Sequence, residues 1–229
     1  MQLPTIEFPE VYHVGELNAQ EIGNFSFEGN MLSVSIHPQA WTKIMRKYNK
    51  TSHVFSKTKD RKSHLKFALI HEIISNKDYF ILKNNLTKQA IEMNLITKTA
   101  CYHYRTCDDN DNEIIMTAKT IEEALEETSL ISVENIDKEH PEIWEGFIYK
   151  GTEQFLSEQK RVSSDWDLLD IGIAEVIRQK YPEIDGVWWD ETLDVLSLSA
   201  PRGGLFYGSR SFYIEKRLTA TIYDPEEED

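Results

Sequence analysis

The sequence predicts a single α+β domain in which a mixed or antiparallel sheet is flanked by helices. The chain has 229 residues, of which 40% are hydrophobic and 11% aromatic, and this is enough to bury a sizeable core. Segments with strand-like alternation occur among segments with helical spacing, and no internal repeat or break in composition indicates a second domain. We expect one domain over residues 1–223 and a disordered tail at 224–229, where five of six residues are acidic.

The first predicted elements are two short strands and a helix. Residues 31–36 (MLSVSI) alternate apolar and polar side chains, and residues 11–14 (VYHV) before Gly15 also read as a short strand. Proline is tolerated in the first turn of a helix, so the segment that follows Pro38 is predicted to be helical. We expect the two strands to lie near each other, with the helix directly after the second.

The middle of the chain is predicted to alternate between the two kinds of element. Residues 64–75 (HLKFALIHEIIS) are strongly apolar and are interpreted as a helix. Aromatic and β-branched residues favour strands at 79–82 (YFIL) and at 100–106 (ACYHYRT).

Two further helices are indicated by their caps and their spacing. Residues 120–123 (TIEE) contain a capping-box signature, which predicts a helix over 121–128. A longer amphipathic helix, which Ser164 or Asp165 would cap, is predicted to end before Pro182.

The last third of the chain is predicted to be mostly strands. Residues 186–190 (GVWWD) and 195–199 (VLSLS) are short strand candidates, and a long alternating stretch covers 211–223. Proline and two glycines make 201–204 (PRGG) a predicted turn.

Charge is distributed unevenly along the chain. The 25 Lys and Arg residues against 39 Asp and Glu residues give a net charge of −14, which argues against a generic nucleic-acid binder. The segment Lys43–Lys66 nevertheless holds nine basic residues and one acid. This basic segment is expected either to contact a nucleic acid or another phosphate-bearing ligand, or to be an ordinary solvated surface.

Location is predicted from what the sequence lacks. No apolar run approaches the roughly 18 residues that a membrane-spanning helix needs, and the first residues lack the basic and apolar regions of a signal peptide. We therefore expect a cytoplasmic protein with no membrane contact and with both cysteines reduced.

Three short segments attract attention because the common catalytic and phosphate-binding motifs are absent. The chain contains no GxxxxGK[ST], GxGxxG, HExxH or GxSxG sequence. The unusual segments are Tyr12-His13 before a glycine, the strand that carries Ser33 and Ser35, and a late strand that ends in Asp190-Glu191.

The order of these three segments resembles that of the ADP-ribosyltransferase-like superfamily, and the resemblance covers the two ends of the chain. It implies that the fold is that of this superfamily, with residues from about 45 to 160 as a variable insertion. It also implies that NAD is a substrate and that a protein or nucleic acid accepts ADP-ribose.

The resemblance implies roles for individual residues. Tyr12 and His13 would hold the NAD molecule, Ser33 or Ser35 would stand at the position of the strand-two hydroxyl, and Glu191 or Asp190 would be the catalytic acid. Such chemistry needs these types of residue, because breaking the nicotinamide bond builds positive charge on the ribose, which a fixed carboxylate stabilises.

Arg202 is a further candidate ligand of NAD. Its guanidinium stands beside Gly203 and Gly204, which let the backbone approach a phosphate closely. The alternative interpretation of this segment is a tight connection between strands.

Two other classes of function remain compatible with the sequence. A non-enzymatic acidic protein, for example one of mobile-element origin, would occupy a basic partner or imitate nucleic acid. A metal-dependent hydrolase would hold a divalent cation with acids such as Asp185, Asp190, Glu191 and Asp194, since hard cations prefer carboxylate oxygens.

Overall fold

The computed structural model describes residues 2–15, 17, 29–44, 51–70, 77–107, 113–128, 142–159, 168–189 and 201–218. Their strands are β1 (Thr5–Phe8), β2 (Val11–Val14), β3 (Leu32–Ser35), β4 (Thr51–Ser56), β5 (Leu65–Leu69), β6 (Ile96–Cys107), β7 (Glu113–Ala118), β8 (Ile143–Gly151), β9 (Gly186–Trp189), β10 (Arg202–Leu205) and β11 (Tyr213–Leu218). Their helices are α1 (Pro38–Ile44), α2 (Phe80–Glu92), α3 (Ile121–Glu127), α4 (Glu153–Glu158) and α5 (Leu169–Lys180), and a 3-10 turn at Lys77–Tyr79 precedes α2.

Eight of the strands form a large mixed sheet. Their order is β1-β5-β9-β10-β3-β2-β4-β11. Only β5 and β9 are parallel, and every other neighbouring pair is antiparallel. The predicted α+β class and the predicted adjacency of 11–14 and 31–36 are therefore confirmed, since β2 lies directly beside β3.

The remaining strands form a small antiparallel sheet in the order β7-β6-β8. Helix α3 packs on it through Ala124, which is buried with Tyr104 and Ile143. The predicted capping box is confirmed, because the Thr120 hydroxyl accepts a hydrogen bond from the Glu123 amide and the Glu123 carboxylate accepts one from the Thr120 amide.

The large sheet is buried on both faces near β5 and β9. One face contributes Ala68 and Val187 to a core completed by α2 and α5. The other face contributes Phe67 and Trp188 to a second core, formed largely by the sheet itself. Consecutive residues of one strand thus enter different cores, because side chains alternate across a sheet.

The prediction of a helix over residues 64–75 is wrong for residues 65–69, whereas Ile70 is helical. Leu65–Leu69 form β5, an interior strand of the large sheet. A strand that is buried on both faces carries a continuous apolar run, and such a run cannot be told from a buried helix by periodicity.

The strand predicted at 79–82 is also wrong. Phe80 begins α2, in which Leu82, Leu86 and Ala90 are buried at the spacing of one helical turn. The aromatic residue that favoured a strand lies on the solvent side of the helix, where Phe80 is 58% exposed, so its β propensity does not decide the structure.

The turn predicted at 201–204 is wrong as well, since Arg202–Leu205 form β10 in the middle of the large sheet. The two glycines do not form a turn, and their lack of a side chain allows neighbouring side chains to pack closely. A Cβ atom at Gly203 would lie 2.4 Å from Cε3 of Trp188, and one at Gly204 would lie 2.7 Å from the sulfur of Met31.

The other predicted elements are confirmed, corrected or outside the described residues. Strands are confirmed at 186–189 and within 100–106, and β11 and α5 confirm parts of the predicted C-terminal strand and long helix. The strands β4 and β5, which lie inside the expected insertion at 45–160, belong to the large sheet. The 195–199 strand, the caps Ser164 and Asp165 and the 224–229 tail lie outside the described residues.

None of the described helices combines the length and the apolar composition that a membrane span requires.

Candidate functional site

The large sheet places four residues that are far apart in the sequence in one row across its strands. Tyr12 lies opposite Ser35, Ser35 opposite Arg202, and Arg202 opposite Trp189. Register partners on neighbouring strands have their side chains on the same face. We call these four residues the polar row, and three of them were predicted to bind NAD.

Arg202 and Trp189 form the contact at one end of the polar row. The guanidinium carbon lies 5.5 Å from the centroid of the Trp189 rings, which is cation–π distance, and both side chains are half-buried. Asp190 and Glu191, the predicted catalytic acids, follow Trp189 directly in the sequence and lie outside the described residues.

Ser35 has a structural role in the middle of the row. Its hydroxyl donates to the carbonyl of Pro201 at 2.6 Å and accepts from the amide of His37 at 3.0 Å, and the residue is only 2% exposed. The hydroxyl therefore holds the end of β3 against the residue that precedes Arg202. Ser33, two residues earlier on the same face, is half-buried opposite Gly204.

His13 is not part of the polar row. It follows Tyr12 on β2 and therefore points to the opposite face of the sheet. Its Nδ1 lies 2.8 Å from the carbonyl oxygen of Ser33. A carbonyl oxygen only accepts hydrogen bonds, so Nδ1 carries the hydrogen and the neutral imidazole has its lone pair at Nε2. The sheet thus separates His13 from the other predicted NAD ligands.

The other end of the row enters a network of charged side chains. Glu10 accepts hydrogen bonds from the Tyr12 hydroxyl and from Arg61 and Arg217, and Glu215 accepts from both arginines. Burial opposes the ionisation of Glu10, but the hydrogen bonds outweigh it and lower the pKa of Glu10. Hydrogen bonds from Arg217 and Arg61 also lower the pKa of Glu215.

This network predicts a loss of stability in acid. A carboxyl group whose pKa is lower in the folded state stabilises the protein above its unfolded pKa, about 4.3, and loses that contribution as the pH falls through the folded value. We expect Glu10→Gln to reduce the free energy of unfolding by about 1–2 kcal/mol at pH 7. Urea unfolding at pH 7 and at pH 3 measures the free energy of unfolding of the wild type and of Glu10→Gln.

The difference in free energy of unfolding between wild type and Glu10→Gln is expected to shrink between pH 7 and pH 3, because the stabilisation by an acid with a lowered pKa declines once the pH falls below its unfolded value. Glu183→Gln is the control, since Glu183 is an exposed acid outside the network. If the two proteins differ in free energy of unfolding by the same amount at both pH values, the stabilising role of ionised Glu10 is contradicted.

The described part of the basic segment is largely paired with acids. Arg61 is held by Glu10 and Glu215, and Lys57 donates to Asp185 at 2.9 Å. Lys59 and Lys62 are exposed. The side chain of Lys43 and residues 45–50 lie outside the described part of the chain, so its structure covers only the second half of this predicted contact surface.

Asp185, a proposed metal ligand in the hydrolase alternative, has another role. It is 4% exposed and accepts hydrogen bonds from Lys57 and from the amide of Lys66 at 2.8 Å, which joins the β4–β5 loop to the start of β9. No group of three His, Cys, Asp or Glu side chains suited to a metal occurs in the described residues. Asp190, Glu191 and Asp194 are outside that set.

A cavity of about 270 Å³ lies away from the polar row, at the opposite ends of β3 and β10. Met31, Ile171 and Phe206 are among its apolar lining residues, and the guanidinium of Arg178 at its rim is held by Glu175. The cavity brings together none of the residues that the sequence singled out.

Two residues of interest were missed by the sequence reasoning. Glu10 organises the charged network, and His53 lies directly opposite His13. Residues 51–56 (TSHVFS) contain β-branched and aromatic residues, which favour a strand and were the available signal for β4. Its pairing with β2 depends on the tertiary structure.

Comparison with known proteins adds no relative: no family model, no curated protein and no solved structure matches this chain. The functional interpretation therefore depends on the residues described above.

Proposed function

We propose that the chain is an NAD-dependent ADP-ribosyltransferase whose site lies where β9 ends and β10 begins. The observation that carries the proposal is the polar row, because it brings Arg202 and Trp189 together immediately before the acids Asp190 and Glu191 in the sequence. Arg202 and Trp189 supply a cation and an aromatic surface at one end of the sheet, and the two acids follow Trp189 directly in the sequence.

Arg202 and Trp189 suit the two chemical parts of a dinucleotide. A guanidinium offers several N–H donors to phosphate oxygens, and stacking on an aromatic ring restricts its orientation. The indole offers an apolar surface to a planar base or a nicotinamide ring. The net charge of −14 over the whole chain makes such a local cation important for an anionic substrate.

His13 supports the proposal through its fixed orientation. The Ser33 carbonyl accepts a hydrogen bond from Nδ1 and so fixes the plane of the ring that is proposed to hold the sugar of NAD. Since His13 lies on the other face, a molecule of NAD that reaches both His13 and Arg202 must pass the edge or the end of the sheet.

Glu191, or its neighbour Asp190, would stabilise the transition state. Cleavage of the bond between ribose and nicotinamide gives an oxocarbenium-like state, and a preorganised carboxylate lowers the energy of that positive charge. The acceptor is proposed to be a protein or a nucleic acid in the cytoplasm, where both cysteines, neither of them in a disulfide, would stay reduced.

Calorimetric titration of NAD at low salt tests the proposal. We expect wild-type protein to bind NAD, and Arg202→Ala and His13→Ala each to weaken binding at least about tenfold, the equivalent of one lost charged or fixed hydrogen bond. Arg105→Ala is the matched control, because Arg105 is an exposed arginine paired with Glu113 on the small sheet.

The absence of NAD binding by the wild type would overturn the proposal and would favour the acidic interaction protein instead. Equal binding by all four proteins would remove Arg202 and His13 from the site.

A further inference from the structure

Strand β7 forms one edge of the small sheet and has no neighbour on its outer side among the described residues. Its central residues, 114–117 (IIMT), include no charged residue, proline or glycine. Ile115 is 58% exposed and Met116 is 45% exposed, and consecutive residues of a strand project from opposite faces. The edge is therefore apolar on both sides. Unpaired backbone groups along such an edge form a template for another strand.

The other sheet edges in the described structure carry features that discourage strand pairing. Strand β1 lies between Pro4 and Pro9, and β11 carries three consecutive charges at 215–217 (EKR). On β8, the carbonyl of Tyr149 accepts a hydrogen bond from the amide of Leu168 at 2.9 Å. Proline, charged side chains and a covering segment are the usual protections of natural edge strands. Of the four described edges, β7 alone has none of them along its central residues.

The backbone groups of alternate β7 residues point away from the sheet. The amide of Arg105 donates to the carbonyl of Glu142 at 2.9 Å, so Arg105 directs its backbone groups to the side of β8. The preceding residue, Tyr104, therefore directs its groups to Met116 of β7, since hydrogen-bonded and non-hydrogen-bonded pairs alternate in an antiparallel ladder. Met116 and its alternate neighbours thus face β6. The residues that direct their amides and carbonyls outward are Glu113, Ile115 and Thr117.

We propose that β7 pairs with β7 of a second copy of this chain in antiparallel orientation. The pairing joins two three-stranded sheets into one continuous sheet. Two identical antiparallel strands are related by a twofold axis, so each residue pair occurs twice and the assembly closes as a dimer. The new backbone hydrogen bonds satisfy the outward groups of both copies.

The charges at the two ends of β7 select one register. Outward-directed residues must face each other for their backbone groups to bond. With Met116 on the twofold axis, Ile115 faces Thr117 of the second copy. In the same register, Glu113 faces Lys119 of the second copy. Both charged side chains are exposed, and opposite charges directly across a strand pair are favourable. A shift by two residues places Glu113 opposite Thr117 or beyond the end of the strand, and both ion pairs are lost.

The dimer is expected to be weak and to depend on concentration. One strand pair buries less area than a standard interface of about 1,600 Å², which indicates a Kd on the order of micromolar or weaker. The net charge of −14 on each copy opposes association, and salt screens this repulsion. The contact does not involve the polar row on the large sheet, so association does not depend on the proposed function.

Sedimentation velocity of the full-length protein over a range of concentrations tests the pairing, in about 0.15 M NaCl, where the Debye length is about 8 Å. The first variant is Ile115→Pro. Proline removes the outward amide of Ile115 and no hydrogen bond to β6, and edge strands tolerate proline at such positions. We expect the Kd of the dimer to rise at least about tenfold, because bonds on both sides of the twofold axis are lost.

Phe147→Pro is the matched control at the opposite edge of the same sheet. Since Glu142 directs its carbonyl to β6, the alternation along β8 directs the amide of Phe147 outward. Phe147 is also 49% exposed, as an apolar residue of an edge strand. This variant is expected to leave the Kd of the dimer unchanged.

Charge reversal tests the register. Glu113→Lys places two lysines opposite each other at both ends of the strand pair, and Lys119→Glu places two glutamates there. Each single variant is expected to raise the Kd at least about threefold, because like charges directly opposite are destabilising. The double variant Glu113→Lys/Lys119→Glu is expected to restore the wild-type Kd, because both ion pairs form again with their charges exchanged.

Thermal unfolding verifies that each variant is folded. Replacement of Glu113 also removes its ion pair with Arg105 in the same copy, which Lys119→Glu does not restore, so rescue by the double variant reports on the dimer alone. A wild type that stays monomeric at all concentrations, or a dimer that Ile115→Pro leaves unchanged, would overturn the inference. A double variant that associates as weakly as the single variants would overturn it as well.

Discussion

Glu191→Gln is expected to lower the rate of nicotinamide release from NAD by at least about a hundredfold, which is the usual cost of removing one preorganised group that stabilises transition-state charge. An amide has nearly the shape of the carboxylate but lacks the negative charge that stabilises the developing cation. NAD affinity is expected to stay within about threefold of the wild type, because the charge appears only in the transition state. Release of nicotinamide and calorimetric titration measure the two quantities.

Replacement of the neighbouring acid, Asp190, shows which of the two carboxylates is the catalytic one. Asp190→Asn is expected to have a smaller effect if Glu191 is the catalytic acid, and the larger effect if the two roles are exchanged. Glu183→Gln is the control, because Glu183 is an exposed acid just before β9. Full turnover by both Glu191→Gln and Asp190→Asn would exclude this acidic pair from catalysis.

Phe67→Ala is expected to reduce the free energy of unfolding by about 3–5 kcal/mol, the usual cost of emptying a buried aromatic site. Phe67 is completely buried, and its ring centroid lies 5.9 Å from that of Phe8 and 5.4 Å from that of Trp188. A Cβ atom on Gly186 would lie 2.7 Å from the ring, so the neighbouring strand is already in close contact with it. Urea unfolding followed by tryptophan fluorescence measures the loss.

Two variants control for this prediction. Phe67→Leu keeps most of the buried volume and is expected to lose less stability than Phe67→Ala. Phe147→Ala removes a phenylalanine that is 49% exposed on the small sheet, and a loss below about 1 kcal/mol is expected. Equal losses for Phe67→Ala and Phe147→Ala would show that the sheet core around β5 and β9 does not dominate stability.

The elements that were predicted correctly are those with a local signal. Residues 31–36 alternate in polarity, residues 11–14 form a short strand-like segment before Gly15, and residues 120–123 carry a complete capping box. The structure confirms all three elements, because each of these signals depends on residues that are close together in the chain.

The wrong predictions concern segments whose environment decides their conformation. Residues 65–69 form an interior strand between β1 and β9 with a core on each face, which is why four of the five are apolar. Gly203 and Gly204 look like a turn in the sequence, yet they lie in a strand. They are glycines there because Trp188 and Met31 leave no room for a side chain.

The sequence by itself determined the α+β class, the positions of the locally encoded elements and a short set of candidate residues. The tertiary structure alone decided which candidates meet. Strand order places Arg202 beside both Ser35 and Trp189, while the alternation of side chains along β2 sends Tyr12 and His13 to opposite faces. The pairing of β2 with β4 also brings His53 to His13. Such contacts join residues far apart in the chain, and their geometry depends on strand order and register, which the packing of the whole sheet determines.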